Sequence, residues 1–210
     1  MNSTRVEGGF LPDDGNLPAV IKQLEIPPCS CLEIGCGTGA NSIWLSSRGF
    51  ECTGIDPASA ALRIAADLAK AAGVSIRWIR GVFPEDLGEE AVPEESVRFI
   101  FDRGVFELIT FPQQQRRFLK RVANLLPPDG TYYTLISRKQ GTPLPGGGPL
   151  WTAAEIRRAV SPHLRILLLR PALLIPGDKN SAPVWICVAS RKKKKWLEFP
   201  KFRFPAKIRF

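Results

Sequence analysis

The chain has 210 residues, 44% of them hydrophobic, and a formal net charge of +9 at pH 7. This length predicts one domain of ordinary size with a substantial core. The sequence contains no run of about 18 apolar residues, which predicts no membrane span. Residues 1–10 also lack the basic-then-apolar layout of a secretion signal.

The positive charge is concentrated at the C-terminus. Residues 191–210 contain nine basic side chains and one acidic side chain, whereas the other 190 residues contain 20 basic and 19 acidic ones. We therefore expect a nearly neutral domain followed by a basic tail. The five cysteines form an odd set whose spacing fits no zinc pattern, so we predict no metal site and a reducing, cytoplasmic location.

The first predicted element is a helix within an otherwise irregular N-terminal segment, residues 1–28. Apolar residues recur at helical spacing between Leu17 and Leu24, and two prolines at 27–28 end the pattern. This segment precedes the main domain, which we place at residues 29–190.

The next stretch predicts a nucleotide-binding βαβ unit. A short apolar strand ending near Ile34 leads into a glycine-rich turn, and a helix runs from Ala40 to about Arg48. The following strand begins at Glu51 and ends in Asp56, which lies 21 residues after Gly35. This is the spacing expected of a carboxylate that holds ribose hydroxyls.

Two cofactors fit the turn to different degrees. The pattern Gly35-x-Gly37-x-x-Ala40 matches the loose form of a dinucleotide fingerprint. Glu33 argues against a dinucleotide, because an acid two residues before the first glycine would repel a diphosphate. S-adenosylmethionine (SAM) carries an ammonium, a sulfonium and a ribose diol but no phosphate, and therefore fits better.

The pattern Glu33-x-Gly35-x-Gly37-x-Gly39 with Asp56 resembles the first motif of class I SAM-dependent methyltransferases. The resemblance implies an α/β fold with a Rossmann-like, seven-stranded, mostly parallel sheet. Its last strand is antiparallel and lies between its two predecessors, and helices cover both faces. The resemblance also implies that the N-terminal segment, residues 1–28, partly covers the cofactor. It further implies ten cofactor-binding positions: Glu33, Gly35, Cys36, Gly37, Gly39, Asp56, Pro57, Val82, Phe83 and Asp102.

The chain departs from the family after its third predicted strand, residues 75–80. The family commonly places an acid at the position of Val82 to accept a hydrogen bond from adenine. Here the adenine would be held by backbone groups, by Phe83, or by Glu85 or Asp86 reaching back. A helix at 58–72 precedes this strand and ends at a glycine.

The fourth strand, predicted at 97–101, ends at Asp102 and Arg103. Ligands of open α/β sheets bind at such strand ends, so we predict the methyl acceptor here and name these two residues as catalytic. A cap or structural ion pair is the alternative role for Asp102. If the acceptor needs a general base, only Asp102 or Glu107 could serve. Residues 101–106 resemble the acceptor loop of thiopurine, thiol and tellurite-resistance methyltransferases, which implies a small, soft nucleophile.

The remaining elements are a helix at 112–126, a strand at 131–137, a helix ending at Val160 and strands at 164–175 and 183–190. Thr152-x-x-Glu155 is a capping box. The loop 138–150, rich in glycine and proline, is either a flap over the acceptor site or disordered. The tail, 191–210, interleaves phenylalanines with lysines and arginines, which suits contact with RNA or anionic lipid.

The sequence therefore predicts a SAM-dependent methyltransferase that moves a methyl group to a small nucleophilic acceptor by in-line displacement. The alternative is a protein of the same fold that binds RNA or a membrane through its tail. Such a protein would methylate a macromolecule or have no activity.

Overall fold

The structure is a computed structural model that describes residues 5–6, 9–10, 12, 14–88, 91–139, 149–175 and 181–192. Seven strands in this part of the chain form one sheet. They are β1 Ser30–Ile34, β2 Glu51–Asp56, β3 Arg77–Arg80, β4 Phe99–Arg103, β5 Thr131–Ser137, β6 Leu164–Leu173 and β7 Pro183–Arg191. A separate two-stranded ribbon pairs Arg5–Val6 with Gly9–Phe10.

The strand order is β3-β2-β1-β4-β5-β7-β6. The first five strands in this order run parallel to one another, and β7 runs antiparallel to both β5 and β6. The prediction of a mostly parallel sheet with an antiparallel last strand between its predecessors is confirmed. The order reverses at β1 and β4, and the carboxyl ends of these two strands mark the switch point where ligands bind.

The α-helices within the described residues agree closely with the predicted ones. They are α1 Leu17–Gln23, α2 Ala40–Ser46, α3 Ser59–Ala71, α4 Pro112–Leu125 and α5 Ala153–Val160. A short 3-10 helix covers Phe106–Leu108. The capping box at Thr152 and Glu155 is present, because each side chain accepts the backbone N–H of the other residue. No helix in the described ranges is long and apolar enough to cross a membrane.

Helices cover both faces of the sheet, each over its own apolar core. On one face α4 and α5 pack over residues such as Ile100 and Tyr132. On the other face α1 and α2 pack over residues such as Phe99 and Phe101. Because side chains alternate along a strand, Asp102 follows Ile100 to the α4 face and Arg103 follows Phe101 to the α1 face.

Two strands have other bounds than predicted, and α1 packs into the core. Strand β4 starts and ends two residues later than predicted, so Asp102 lies inside the strand, paired with Ile34 and Thr134. Leu17 of α1 is completely buried, and the role of residues 1–28 as a partial cofactor cover stays a prediction. Arg191 is the last residue of β7 and not the first residue of a tail.

Two predictions lie wholly or largely outside the described residues. They are the flap, of which residues 140–148 are not described, and the tail, of which residues 193–210 are not described. The ends of the flap segment are fixed, because Arg138 and Trp151 form a parallel bridge.

Candidate active site

A cavity of about 370 Å³ opens at the carboxyl edge of β1, β2 and β4. This is the edge at which the strand order reverses. Its walls come from the ends of the strands and from the loops that follow them. The lining residues are Ile34, Gly35, Ile55, Asp56, Pro57, Gly81, Val82, Phe83, Arg103, Gly104, Val105, Glu107 and Leu108.

The glycine-rich turn is held to β2 by backbone hydrogen bonds. The amides of Gly35 and Cys36 both donate to the carbonyl of Ile55, at 2.8 and 3.1 Å. Gly35 has a φ of +71°, and a Cβ there would overlap the Cγ2 atom of Val105. The position therefore requires glycine both for its backbone conformation and for the close approach of the loop after β4.

Asp56 stands at the end of β2 and lines the cavity. One of its carboxylate oxygens accepts the amide of Gly37 at 2.9 Å, and the other accepts the amide of Ala58 at 2.8 Å. These bonds orient the carboxylate between the glycine-rich turn and the start of α3. Each oxygen keeps a second lone pair, so Asp56 is equipped to accept hydrogen bonds from two neighbouring hydroxyls.

Glu33 lies beneath the turn and not at its mouth. It is 3% exposed, and its carboxylate accepts hydrogen bonds from Asn41 and from the amide and hydroxyl of Ser42 at the start of α2. Burial raises the pKa of Glu33 to about 7, although these hydrogen bonds and the charge of Arg103 lower it. Its predicted contact with the cofactor stays a prediction.

Arg103 lines the cavity on the same face of the sheet as Glu33. Its charge lowers the pKa values of both Glu33 and Asp14, which burial raises. Asp14 is 1% exposed and accepts the hydroxyl of Tyr133 at 2.6 Å, while its amide donates to Asn41. The arginine therefore belongs to a buried group of charges that also anchors the N-terminal segment.

The part of the cavity where the sequence predicts the adenine has no acid at position 82. Val82 is half exposed, whereas Phe83 is buried against Phe118 with ring centroids 4.8 Å apart. Asp86 reaches back and accepts the amide of Val82 at 2.8 Å, while Glu85 turns away to pair with Arg117. Of the two acids considered from the sequence, Asp86 is therefore the one placed beside this position.

Asp102 is completely buried and does not line the cavity. One carboxylate oxygen accepts the amides of Val105 and Phe106, each at 3.0 Å, and the other accepts the hydroxyl of Tyr132 at 2.6 Å. Burial raises its pKa to about 6. Asp102 thus holds the loop after β4 in shape, which matches the alternative structural role expected of it.

Glu107, and not Asp102, is the carboxylate that lines the cavity beside the loop after β4. It lines the cavity, is 1% exposed, and accepts hydrogen bonds from the amide and hydroxyl of Ser137 at the end of β5. Burial raises the pKa of Glu107, and the charge of the neighbouring Asp102 also raises it, whereas the hydrogen bonds from Ser137 lower it. The sequence named Glu107 as an alternative general base, but its burial was not predictable, because an acid in a loop is ordinarily a solvated residue.

The cavity brings together some of the predicted site residues and leaves others behind its wall. Those that line it are Gly35, Asp56, Pro57, Val82, Phe83 and Arg103. Cys36 is buried against Gly54, and burial raises the pKa of its thiol. Gly37 acts through its bond to Asp56, and Gly39, with a φ of +78°, begins α2.

Residues 31–130 match the family described as "Methyltransferase domain". This range contains the glycine-rich turn, Asp56 and the loop after β4. No curated protein sequence matches the chain.

Solved structures share the fold at low sequence identity. One is the 1,6-didemethyltoxoflavin-N1-methyltransferase of Burkholderia thailandensis, a structure that contains bound S-adenosylhomocysteine. Its TM-score is 0.70 at 18% sequence identity, and the alignment covers 86% of this chain and 79% of that chain. TehB of Haemophilus influenzae has a TM-score of 0.64 at 20% sequence identity, and the alignment covers 85% of this chain and 62% of TehB. A TehB-like SAM-dependent methyltransferase of Corynebacterium glutamicum has a TM-score of 0.60 at 19% sequence identity, and the alignment covers 89% of this chain and 91% of that chain.

The strand order, the turn geometry and the family match agree with one another. Residues 31–130 therefore form a methyltransferase domain, and the sheet that they contribute to has the strand order of the class I SAM-dependent methyltransferase fold.

Proposed function

We propose that this methyltransferase transfers the methyl group of SAM to a small, soft nucleophile such as a thiol or selenol. The observation that carries the proposal is the size and lining of the cavity. About 370 Å³ is near the lower end of the range for small-molecule sites, so a bound cofactor leaves room only for a small acceptor.

The ionisable side chains of the cavity wall support the same class of acceptor. Within the described residues they are Asp56, Arg103 and Glu107; His163 lies elsewhere, in the turn after α5. Asp56 belongs to the cofactor end. A hydroxyl or carbon acid would need a strong base, whereas a thiol with an ordinary pKa of about 8.5 needs only modest help to ionise.

We place Glu107 beside the acceptor as the group that receives its proton. The cavity side of the loop after β4 is otherwise apolar, through Val105 and Leu108. In the reaction the thiolate sulfur attacks the methyl carbon while the bond from that carbon to the SAM sulfur breaks. The enzyme aligns these three atoms and excludes water, and positioning of this kind supplies up to about 7–11 kcal/mol. Asp102 contributes by holding the loop.

The proposal is tested with SAM carrying a labelled methyl group and a panel of acceptors: thiols, a selenol, phenols, a halide and RNA. We expect labelled product with the thiols or the selenol. Glu107→Gln should slow transfer to a thiol about 100-fold near pH 7, and the defect should shrink as the solution pH rises past the thiol pKa. Labelling of RNA alone, or a defect independent of pH, would contradict the proposal.

The alternative, methylation of a macromolecule held by the tail, has no support in the described residues. Strand β7 ends where β5 begins, since Ser190 pairs with Thr131. The tail therefore leaves the sheet at the edge opposite the cavity. Its contact with RNA or anionic lipid stays a prediction. The five cysteines are all free, which supports the predicted cytoplasmic location.

A further inference from the structure

Two cysteines face each other across the strands that lead to the glycine-rich turn and to Asp56. Cys31 of β1 and Cys52 of β2 are direct partners in the parallel register of these strands. Their Sγ atoms lie 2.7 Å apart. Two carbon atoms in contact are about 3.5–4.0 Å apart, and sulfur is larger than carbon. The two sulfurs are therefore closer than a nonbonded contact and approach the length of a disulfide bond, about 2.05 Å.

The backbone also meets the requirements of a disulfide. Neighbouring strands lie about 4.7–4.9 Å apart, so paired residues fall within the Cα separation of about 4.4–6.8 Å that disulfides span. Both side chains belong to the apolar core on the α1 and α2 face of the sheet. Bond formation therefore needs a small shift of two side chains and no rearrangement of β1 or β2.

The same geometry argues against a metal ion between the two thiols. Zinc bonds each thiolate at about 2.3 Å in a tetrahedral arrangement, which spreads two thiolates well beyond the observed separation. Among the described residues, no three potential metal ligands are grouped to hold an ion. Oxidation to a disulfide is the reaction that two thiols in this arrangement favour.

A second cavity gives a small oxidant access to this pair. It has a volume of about 360 Å³ and lies at the amino ends of β1, β2 and β3, and both cysteines belong to its lining. Each cysteine is nevertheless largely buried. Burial also raises the pKa of the Cys31 thiol well above its ordinary value. Because the thiolate is the reactive form, we expect slow oxidation in the folded chain.

We propose that Cys31 and Cys52 form a reversible disulfide that links β1 to β2, with a peroxide as the oxidant. The thiolate sulfur of one cysteine attacks a peroxide oxygen, the O–O bond breaks, and hydroxide leaves a sulfenic acid behind. The thiolate of the other cysteine attacks the sulfenic sulfur, so that the S–S bond forms, the S–O bond breaks and a second hydroxide leaves. The two thiol protons convert both hydroxides to water, and the two sulfurs lose two electrons to the peroxide. Formation of the bridge is independent of methyl transfer.

The bridge should stabilise the fold and leave the cofactor cavity unchanged. It closes a loop of the 20 residues between the two cysteines, which contains the glycine-rich turn and α2. A closed loop of this length restricts the unfolded chain and should raise the Tm by about 6–12 °C. The pairing of β1 with β2 continues without interruption to Ile34 and Ile55. We therefore expect the Kd for S-adenosylhomocysteine to change by less than about threefold.

The test incubates the full chain with hydrogen peroxide, blocks the remaining thiols with N-ethylmaleimide and maps the trypsin fragments by mass spectrometry without reductant. Trypsin releases peptides 23–48 and 49–63, which contain Cys31 and Cys52, respectively. We expect these peptides joined, and separated again by dithiothreitol. Peptide 23–48 holds three cysteines, and fragmentation of the joined product identifies the bridged one. A parallel sample is oxidised while the chain refolds from urea, when neither thiol is buried.

Cys31→Ala should abolish the joined product, whereas the control Cys187→Ala removes a buried cysteine of β7 and should leave it. The oxidised parent chain should melt about 6–12 °C above its reduced form, and Cys31→Ala should show no such difference. Absence of the joined product in both samples, or a bridge through Cys29 or Cys36, would overturn the proposal. A demonstrated bridge with an unchanged Tm would also overturn it. The parent chain alone gives this answer if Cys31→Ala does not fold.

Discussion

The replacement of Asp56 by alanine tests how the cavity holds the donor. The carboxylate is oriented by the amides of Gly37 and Ala58, at 2.9 and 2.8 Å, and Asp56 lines the cavity. Hydrogen bonds to a charged group contribute about 1.5–3 kcal/mol each. Two bonds to the ribose hydroxyls give about 3–6 kcal/mol, so the Kd for S-adenosylhomocysteine should rise by about two to four orders of magnitude.

Calorimetric titration with S-adenosylhomocysteine measures this Kd directly. Asp56→Asn keeps the shape of the side chain and removes its charge, so its Kd should lie between those of the parent chain and of Asp56→Ala. The matched control is Asp67→Ala, which removes an exposed carboxylate from α3 and should leave the Kd unchanged. A change of less than about threefold in a folded Asp56→Ala protein would refute this placement of the ribose.

Variants at three further positions test the loop after β4, the glycine-rich turn that it contacts and the charge beside it. Asp102→Ala leaves three buried donors without an acceptor and should lower the free energy of unfolding by about 3 kcal/mol or more, measured by urea denaturation. Burial raises the pKa of Asp102 to about 6 from its ordinary 3.8. Its contribution to the free energy of unfolding is therefore full below about pH 4 and is lost as the pH rises through about 6. Asp102→Asn should remove this pH dependence of the free energy of unfolding. Gly35→Ala should abolish detectable SAM binding in calorimetry, since its Cβ would meet Val105 at a positive φ; a normal Kd would show that the loop moves freely. Arg103→Ala should slow methyl transfer to an anionic acceptor while the Kd for SAM stays within a few-fold; unchanged turnover would remove Arg103 from the acceptor site.

The sequence predicted the fold well because the signals for it are local. Glycines mark the turns, Thr152 with Glu155 marks the start of α5, and strands of the predicted apolar type form the sheet. The placement of Asp56 at the cavity also follows from local order, since any residue that ends a central parallel strand reaches the same edge.

The sequence could not show which of the buried carboxylates lie in the core and which line the cavity. Strand β4 runs two residues further than predicted because it stays paired with β1 and β5 through Asp102. That extension turns Asp102 into the core and leaves Glu107 at the cavity. The burial of Glu33 depends on side chains of α2, and the approach of Asp86 to Val82 depends on the bend after Gly81; neither has a periodic signal.

The central claim is that the cavity beside Gly35 and Asp56 is a site for S-adenosylmethionine. Its most direct test is calorimetric titration of the full chain with SAM and, separately, with NAD. The account predicts saturable one-to-one binding of SAM and no heat of binding for NAD. Saturable binding of NAD without binding of SAM would contradict it.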